Sequence, residues 1–502
     1  MANRERISGV DTAWLRMEHP TNLMMIVGVL MFNEKISLAQ VRKILEAQWL
    51  TFQRFKQKAI QDPTGAWWET DDNFDIKNHL RKVRLPGKAG KKELEDLVSA
   101  LASKGLDFSR PLWEFTLVEN YRGGSALIQR IHHCYADGIA LIGVMLSLTG
   151  KSAQESLLLQ QASLKRPRKQ NMDFWASVTQ PVAGAWKGAM KLTRALIEQG
   201  IEIARDPGTA RELAMKGIDL AEELRKIATM TSDSPTRFKG TLGVPKRVAW
   251  ADPLPLEEVK IIGKILGASI NDVLLTTAAG ALRDYLAAKG DATDGVELRA
   301  VVPVNLRPVQ KATNLGNQFG LVFVELPVGE ADPLERLRLV RERMLALKGS
   351  YQPVVAFVLL SAIGLGPKIL QDQVGNLIGR NATAVMTNVP GPSHPIYFAG
   401  KEIVELDFWV PQSGGMAMGV SILSYNGKVQ FGLITDAGLV PDPDNIISRF
   451  GDEFEKLVLS TLMGPYGPEF EPELEQAFGD PQKASAEAAP AGVKRVPKRF
   501  RK

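Results

Sequence analysis

The stretch Leu127-Ile128-Gln129-Arg130-Ile131-His132-His133-Cys134-Tyr135-Ala136-Asp137-Gly138 constrains this chain more than any other. Residues 126–131 are apolar and β-prone, which suits a short strand. Residues 139–148 are apolar nearly all round, which suits a buried helix better than a surface one. Two adjacent histidines therefore stand at the exit of a strand, with an aspartate and a glycine where the next helix begins. Such a unit belongs in an α/β fold of mixed sheets with flanking helices.

A neutral imidazole titrates near ~6.5, so it can take a proton from a hydroxyl and return it to a leaving group. Neighbouring strand residues point to opposite faces, so His132 and His133 cannot both address one substrate. One is the base and the other a brace, and the case for chemistry rests on His133. The plainer alternative makes both satisfied core histidines and Asp137 only the N-cap of the next helix. Cys134 follows the histidines directly, which raises a covalent acyl-enzyme route. Against that route, a free cysteine commonly serves as a small buried hydrophobe.

His132-His133-Cys134-Tyr135-Ala136-Asp137-Gly138 resembles the HHxxxDG motif of acyl-CoA-dependent acyltransferases related to chloramphenicol acetyltransferase and peptide-synthetase condensation domains. The chain is most similar to the bacterial wax ester synthase/acyl-CoA:diacylglycerol acyltransferases. The likeness continues through Pro111-Leu112-Trp113-Glu114, Asn271-Asp272, Val304-Asn305-Leu306-Arg307-Pro308, Asn317-Gln318-Phe319-Gly320 and Thr387-Asn388-Val389-Pro390-Gly391-Pro392, in the family's order. It implies two chloramphenicol-acetyltransferase-like domains with the active site and a tunnel at their interface. It also implies catalytic roles for His133, His132, Asp137 and Asn271, substrate contacts by Gly138 and Asp272, and structural support from Arg307, Trp113 and Glu114. Arg307 is the expected partner of Asp137, with Arg54 as the alternative. The implied substrates are acyl-CoA and a long-chain fatty alcohol or diacylglycerol, with no metal and no cofactor. A non-catalytic lipid-surface binding protein on the same scaffold and a condensation-domain-like enzyme with another acceptor are the rival readings.

Length agrees with two domains, because 502 residues exceed one compact core. Residues 1–150 form an N-terminal domain carrying the motif, 151–235 a helical linker, 236–464 a C-terminal domain and 465–502 a flexible basic tail. Its last nine residues account for all of the net charge of +6, since Lys494, Arg495, Lys498, Arg499, Arg501 and Lys502 stand there without acids. A nucleic-acid partner is therefore not expected. Anionic lipid would attract such a tail. The linker pattern of Trp175, Val178, Val182, Trp186 and Met190 suits either a lipid interface or packing between the domains. No apolar run approaches the ~20 residues of a membrane span. The expected location is the cytoplasm, peripherally at the inner membrane face or on lipid inclusions.

Ser269-Ile270-Asn271-Asp272 reads as a capped helix start, which sets Asn271 beside unpaired backbone N–H groups where an oxyanion could be stabilised. Ser361, Gly364 and Gly366 interrupt an apolar run and could line an acyl tunnel or allow close helix packing. Residues 388–392 read as a bend that cannot continue a ladder. Asn426-Gly427 marks a tight hairpin turn.

Overall fold

The computed structural model describes residues 4–161, 225–227, 229–306, 315–347, 350, 352–365, 379–412 and 415–464. Arg307, Gly366, the basic tail and most of the linker fall outside the described residues.

Two sheets organise the chain. The first runs in the order Glu405–Trp409, Met25–Phe32, Ser125–His132, Trp113–Val118, Leu80–Val83, with only the last pair parallel. Trp113 faces Ile131 across an antiparallel ladder, the pairing that the turn at Tyr121-Arg122-Gly123-Gly124 predicts. Every residue of Met25–Phe32 is buried because both faces of the sheet are covered. Val27, Val29 and Met31 pack with Leu94 and Val98 of the helix Lys91–Ala102 on one side. Ile26, Leu30 and Phe32 join the larger core on the other.

The second sheet runs Phe319–Leu326, Leu298–Asn305, Ala384–Pro390, Met418–Tyr425, Lys428–Asp436, Lys246–Trp250, with Leu254–Pro255 beside Lys428–Asp436. Asn426 and Gly427 both adopt positive φ in its hairpin, at 47° and 72°. Helices Leu256–Ile265, Ile270–Ala288, Pro333–Leu347 and Asp444–Met463 cover it. Among the described residues no single helix is long and apolar enough to cross a membrane.

Two features depart from the sequence reading. The boundary at residue 236 is not a clean cut, because Glu405–Trp409 leaves the C-terminal unit and pairs with Met25–Phe32 in the first sheet. The strand Ala384–Pro390 also continues through the expected bend, with Pro390 opposite Ser424. The ladder on its other side is formed only at Ala384 and Val385, so a residue without an N–H sits there as on an edge. Of the two readings of Gly364, in the helix Gln352–Leu365, close helix packing is the one its surroundings fit. A Cβ there would fall 1.6 Å from the carbonyl oxygen of Gly9, at the start of the helix Gly9–Met17.

Candidate active site

The motif strand ends at His132, opposite Met25, and the chain then turns under tight hydrogen-bond control. His133 N–H donates to Met24 O at 2.7 Å and Cys134 N–H to His132 Nδ1 at 3.1 Å. The Tyr135 hydroxyl accepts from Leu112 N–H at 3.0 Å and donates to Gln57 O at 2.7 Å. Asp137 begins the helix Gly138–Ser147 as N-cap, its Oδ1 accepting from Ala140 N–H at 2.9 Å. Its Oδ2 accepts from Gln318 N–H at 2.9 Å, so the C-terminal unit grips the loop.

The two histidines part as strand geometry requires. His132 is 1% exposed, with Nε2 3.5 Å from the Glu18 carboxylate and Phe108 edge-on to its ring. It braces the loop. The His133 imidazole is stacked on Trp14, centroids 4.1 Å apart and planes 19° apart, and Phe319 lies against it at 5.9 Å. Its main-chain oxygen accepts from Asn317 Nδ2 at 2.7 Å. Asn317 in turn donates from Nδ2 and from its main chain to Asp11 Oδ1, at 2.7 and 3.0 Å.

Burial holds the His133 imidazole down at about 4, so the ring is neutral throughout the physiological range. The acid limb of kcat/KM should therefore lie near pH 4 to 5 rather than at 6.5, and a pH profile measures it. Stability carries a matching sign. Between about 4 and 6.5 the unfolded chain holds a proton that the folded one lacks, so this group weakens the fold as pH falls through that window.

Cys134 is fully buried and its thiol is pushed well above the ordinary value by desolvation. That favours the hydrophobe over the nucleophile, and Cys134→Ala should retain turnover within a few-fold in a CoA-release assay.

Asn271 lies in the first turn of Ile270–Ala288 with its side chain exposed, and its Oδ1 accepts from Asn388 Nδ2 at 2.6 Å. Asp272 is buried and closes a capping box, its Oδ2 accepting from Ser269 N–H at 2.8 Å and Ser269 Oγ accepting from Asp272 N–H at 3.2 Å. Gly138 meets open space, since a Cβ there would touch nothing within 4 Å.

Trp113 and Glu114 support the motif strand from its neighbour. Trp113 donates to Phe55 O at 2.8 Å and stacks on His79, while Glu114 pairs with Arg130 at 3.2 Å. Arg307 lies outside the described residues. Arg54 goes elsewhere than Asp137, to Glu5 at 2.7 Å, to Gln57 at 3.0 Å and over the Trp68 ring. It borders a cavity of about 390 Å³ behind the loop, with Asp11, Trp68, Tyr135 and Gly316.

Sequence reasoning gave no role to Asp11, Trp14, Asn317 or Asn388. Ser8-Gly9-Val10-Asp11 and the Asn317 and Asn388 blocks stand out in the sequence, but nothing in one dimension joins residues 11, 133 and 317. The three-residue spacing of Asp11 and Trp14 on one helix was the available signal.

A buried neutral histidine in a loop shared by two α/β units, each built on a mixed sheet, is the arrangement of an acyl-transfer enzyme. The wax ester synthase/diacylglycerol acyltransferase catalytic-domain model matches residues 7–274, and the WS/DGAT C-terminal domain model matches residues 315–458. The chain belongs to this family and is an acyl-CoA-dependent acyltransferase. A putative diacylglycerol O-acyltransferase of Mycobacterium tuberculosis is 26% identical over 479 residues, 91% of each chain. A probable diacylglycerol O-acyltransferase of the same organism is 26% identical over 78% of this chain and 81% of its own. The wax ester synthase/diacylglycerol acyltransferase of Marinobacter aquaeolei VT8 superposes with a TM-score of 0.65 at 20% identity, covering 91% of this chain and 100% of that one. A starter condensation domain of rhizomide synthetase reaches 0.54 at 11% identity, covering 91% and 94%. The fold is thus a pair of chloramphenicol-acetyltransferase-like units, which one condensation domain matches along its length.

Proposed function

We propose that the protein moves a long-chain fatty acyl group directly from acyl-CoA to a fatty alcohol, giving a wax ester, or to diacylglycerol, giving triacylglycerol, with His133 as general base. The neutral, buried imidazole at the exit of the motif strand carries this reading. Nδ1 is sealed from solvent, which leaves Nε2 to face the acceptor. Nε2 takes the hydroxyl proton as the acceptor oxygen bonds to the thioester carbonyl carbon and the π pair moves to the carbonyl oxygen. Collapse of the tetrahedral species breaks the carbon–sulfur bond, and the imidazolium returns its proton to the departing CoA sulfur. Asn271, or a backbone N–H of the turn it begins, stabilises the oxyanion. Asn271→Ala should then cost roughly 100- to 1,000-fold in kcat. Unchanged kcat would remove it from the reaction.

Lipid acceptors reach such a site from a surface. The basic residues 494–502, each drawn to anionic lipid by roughly 1 kcal/mol, support peripheral attachment to the inner membrane face or to lipid inclusions. The test is CoA release from palmitoyl-CoA by purified protein, with hexadecanol or a diacylglycerol as acceptor, with and without anionic vesicles. Ester formation ranks the acceptors, and faster turnover on vesicles supports the attachment. A folded protein that binds lipid but releases no CoA with either acceptor would point to a binding role.

A further inference from the structure

We infer that the helix Gly9–Met17 sets the angle of the His133 imidazole, through the Trp14 ring and through an Asp11–Asn317 bridge, which makes Trp14 and Asn317 positioning residues for acyl transfer. The inference rests on His133 being the base.

Asp11 and Trp14 are three residues apart, so one face of this helix carries both to the motif loop. Trp14 lies flat on the imidazole, and Phe319 touches both rings, at 6.0 Å from Trp14 and 5.9 Å from His133. The stack leaves the ring little rotational freedom. It also places an aromatic face where a positive charge appears when the ring takes a proton, and cations are attracted to such faces. The site needs that help because burial disfavours the imidazolium.

The bridge acts on the same residue from below. Both Nδ2 protons of Asn317 are committed, one to Asp11 Oδ1 and one to the His133 carbonyl oxygen, each at 2.7 Å. Asp11 is held in turn by the Ser8 hydroxyl at 2.7 Å. That commitment fixes which way the amide faces, and it leaves Asn317 Oδ1 buried without a hydrogen-bond partner. His133 Nδ1 is buried and unpartnered as well. The Asn317 side chain stands near enough to favour the protonated ring. Charged groups near the ring are Asp137, which favours the imidazolium, and His132, which opposes it.

The experiment pairs steady-state kinetics with ¹⁵N-imidazole NMR, the His133 signals being identified by their loss in His133→Gln. Trp14→Leu should lower kcat 10- to 100-fold with KM for acyl-CoA within two-fold and shift the His133 titration. Trp14→Phe should recover most of the rate. Asn317→Ala, which releases the His133 carbonyl oxygen, should likewise lower kcat with KM for acyl-CoA within two-fold. Wild-type kcat in a folded Trp14→Leu overturns the inference, and so does a rise in KM alone. Should His133→Ala turn over normally, the base assignment fails, and the NMR result still says whether the helix sets the ring.

Discussion

His133→Ala is expected to lower kcat for ester formation by roughly 100- to 10,000-fold, the usual worth of a positioned general base. KM for acyl-CoA should move little, because the imidazole is asked to act on the acceptor hydroxyl and the departing sulfur rather than to hold the donor. Loss of the Trp14 stacking partner leaves a void beside a buried indole, so some stability is lost as well. Kinetics should accordingly be measured well below the melting temperature of the variant. Rates within three-fold of wild type would remove His133 from the reaction and leave the family's chemistry to another group.

Arg336→Ala is expected to produce the largest loss of stability without touching the site, about 3–5 kcal/mol in denaturant unfolding. The Arg336 side chain is 2% exposed and bonds Glu453 Oε2 at 2.5 Å, with Glu453 fully buried. Its remaining donors reach Glu330 O at 3.0 Å and Ala331 O at 3.1 Å. Removing the guanidinium strands a carboxylate inside the second unit, where the helices Ile270–Ala288, Pro333–Leu347 and Asp444–Met463 meet. Gly280 leaves the room for the pair, since a Cβ there would lie 1.8 Å from Glu453 Oε2. Replacing both partners by apolar residues of similar volume should recover much of the loss, which separates the cost of an orphaned charge from the worth of the pair. A single variant as stable as wild type would mean that the pair is solvated or that Lys456, which also bonds Glu453, suffices.

Local signals were legible because they act over a few residues. The strand and helix around the motif, the cap at Asp137, the Ser269–Asp272 box and the Asn426-Gly427 turn all follow from nearby chemistry. What escaped depends on strand order. Pro390 reads as a breaker until its neighbour on one side is known to have ended. The environment of His133 is assembled from residues 11, 14, 317 and 319, and no periodicity relates them. Arg54 had the right charge to pair with Asp137, but Glu5 and Gln57 take it up in a separate three-stranded sheet.

The strand exchange has a consequence for synthesis. Met25–Phe32 needs Glu405–Trp409 on its open side, and those residues leave the ribosome only after most of the C-terminal unit. Until then the nascent N-terminal half carries an unpaired edge strand of eight consecutive apolar or glycine residues, the kind of edge that recruits other chains. Vectorial domain-by-domain folding is thereby denied to this protein. Its first half must be held unaggregated while the second is made, and truncations that stop near residue 236 should be insoluble however well the first half appears to end.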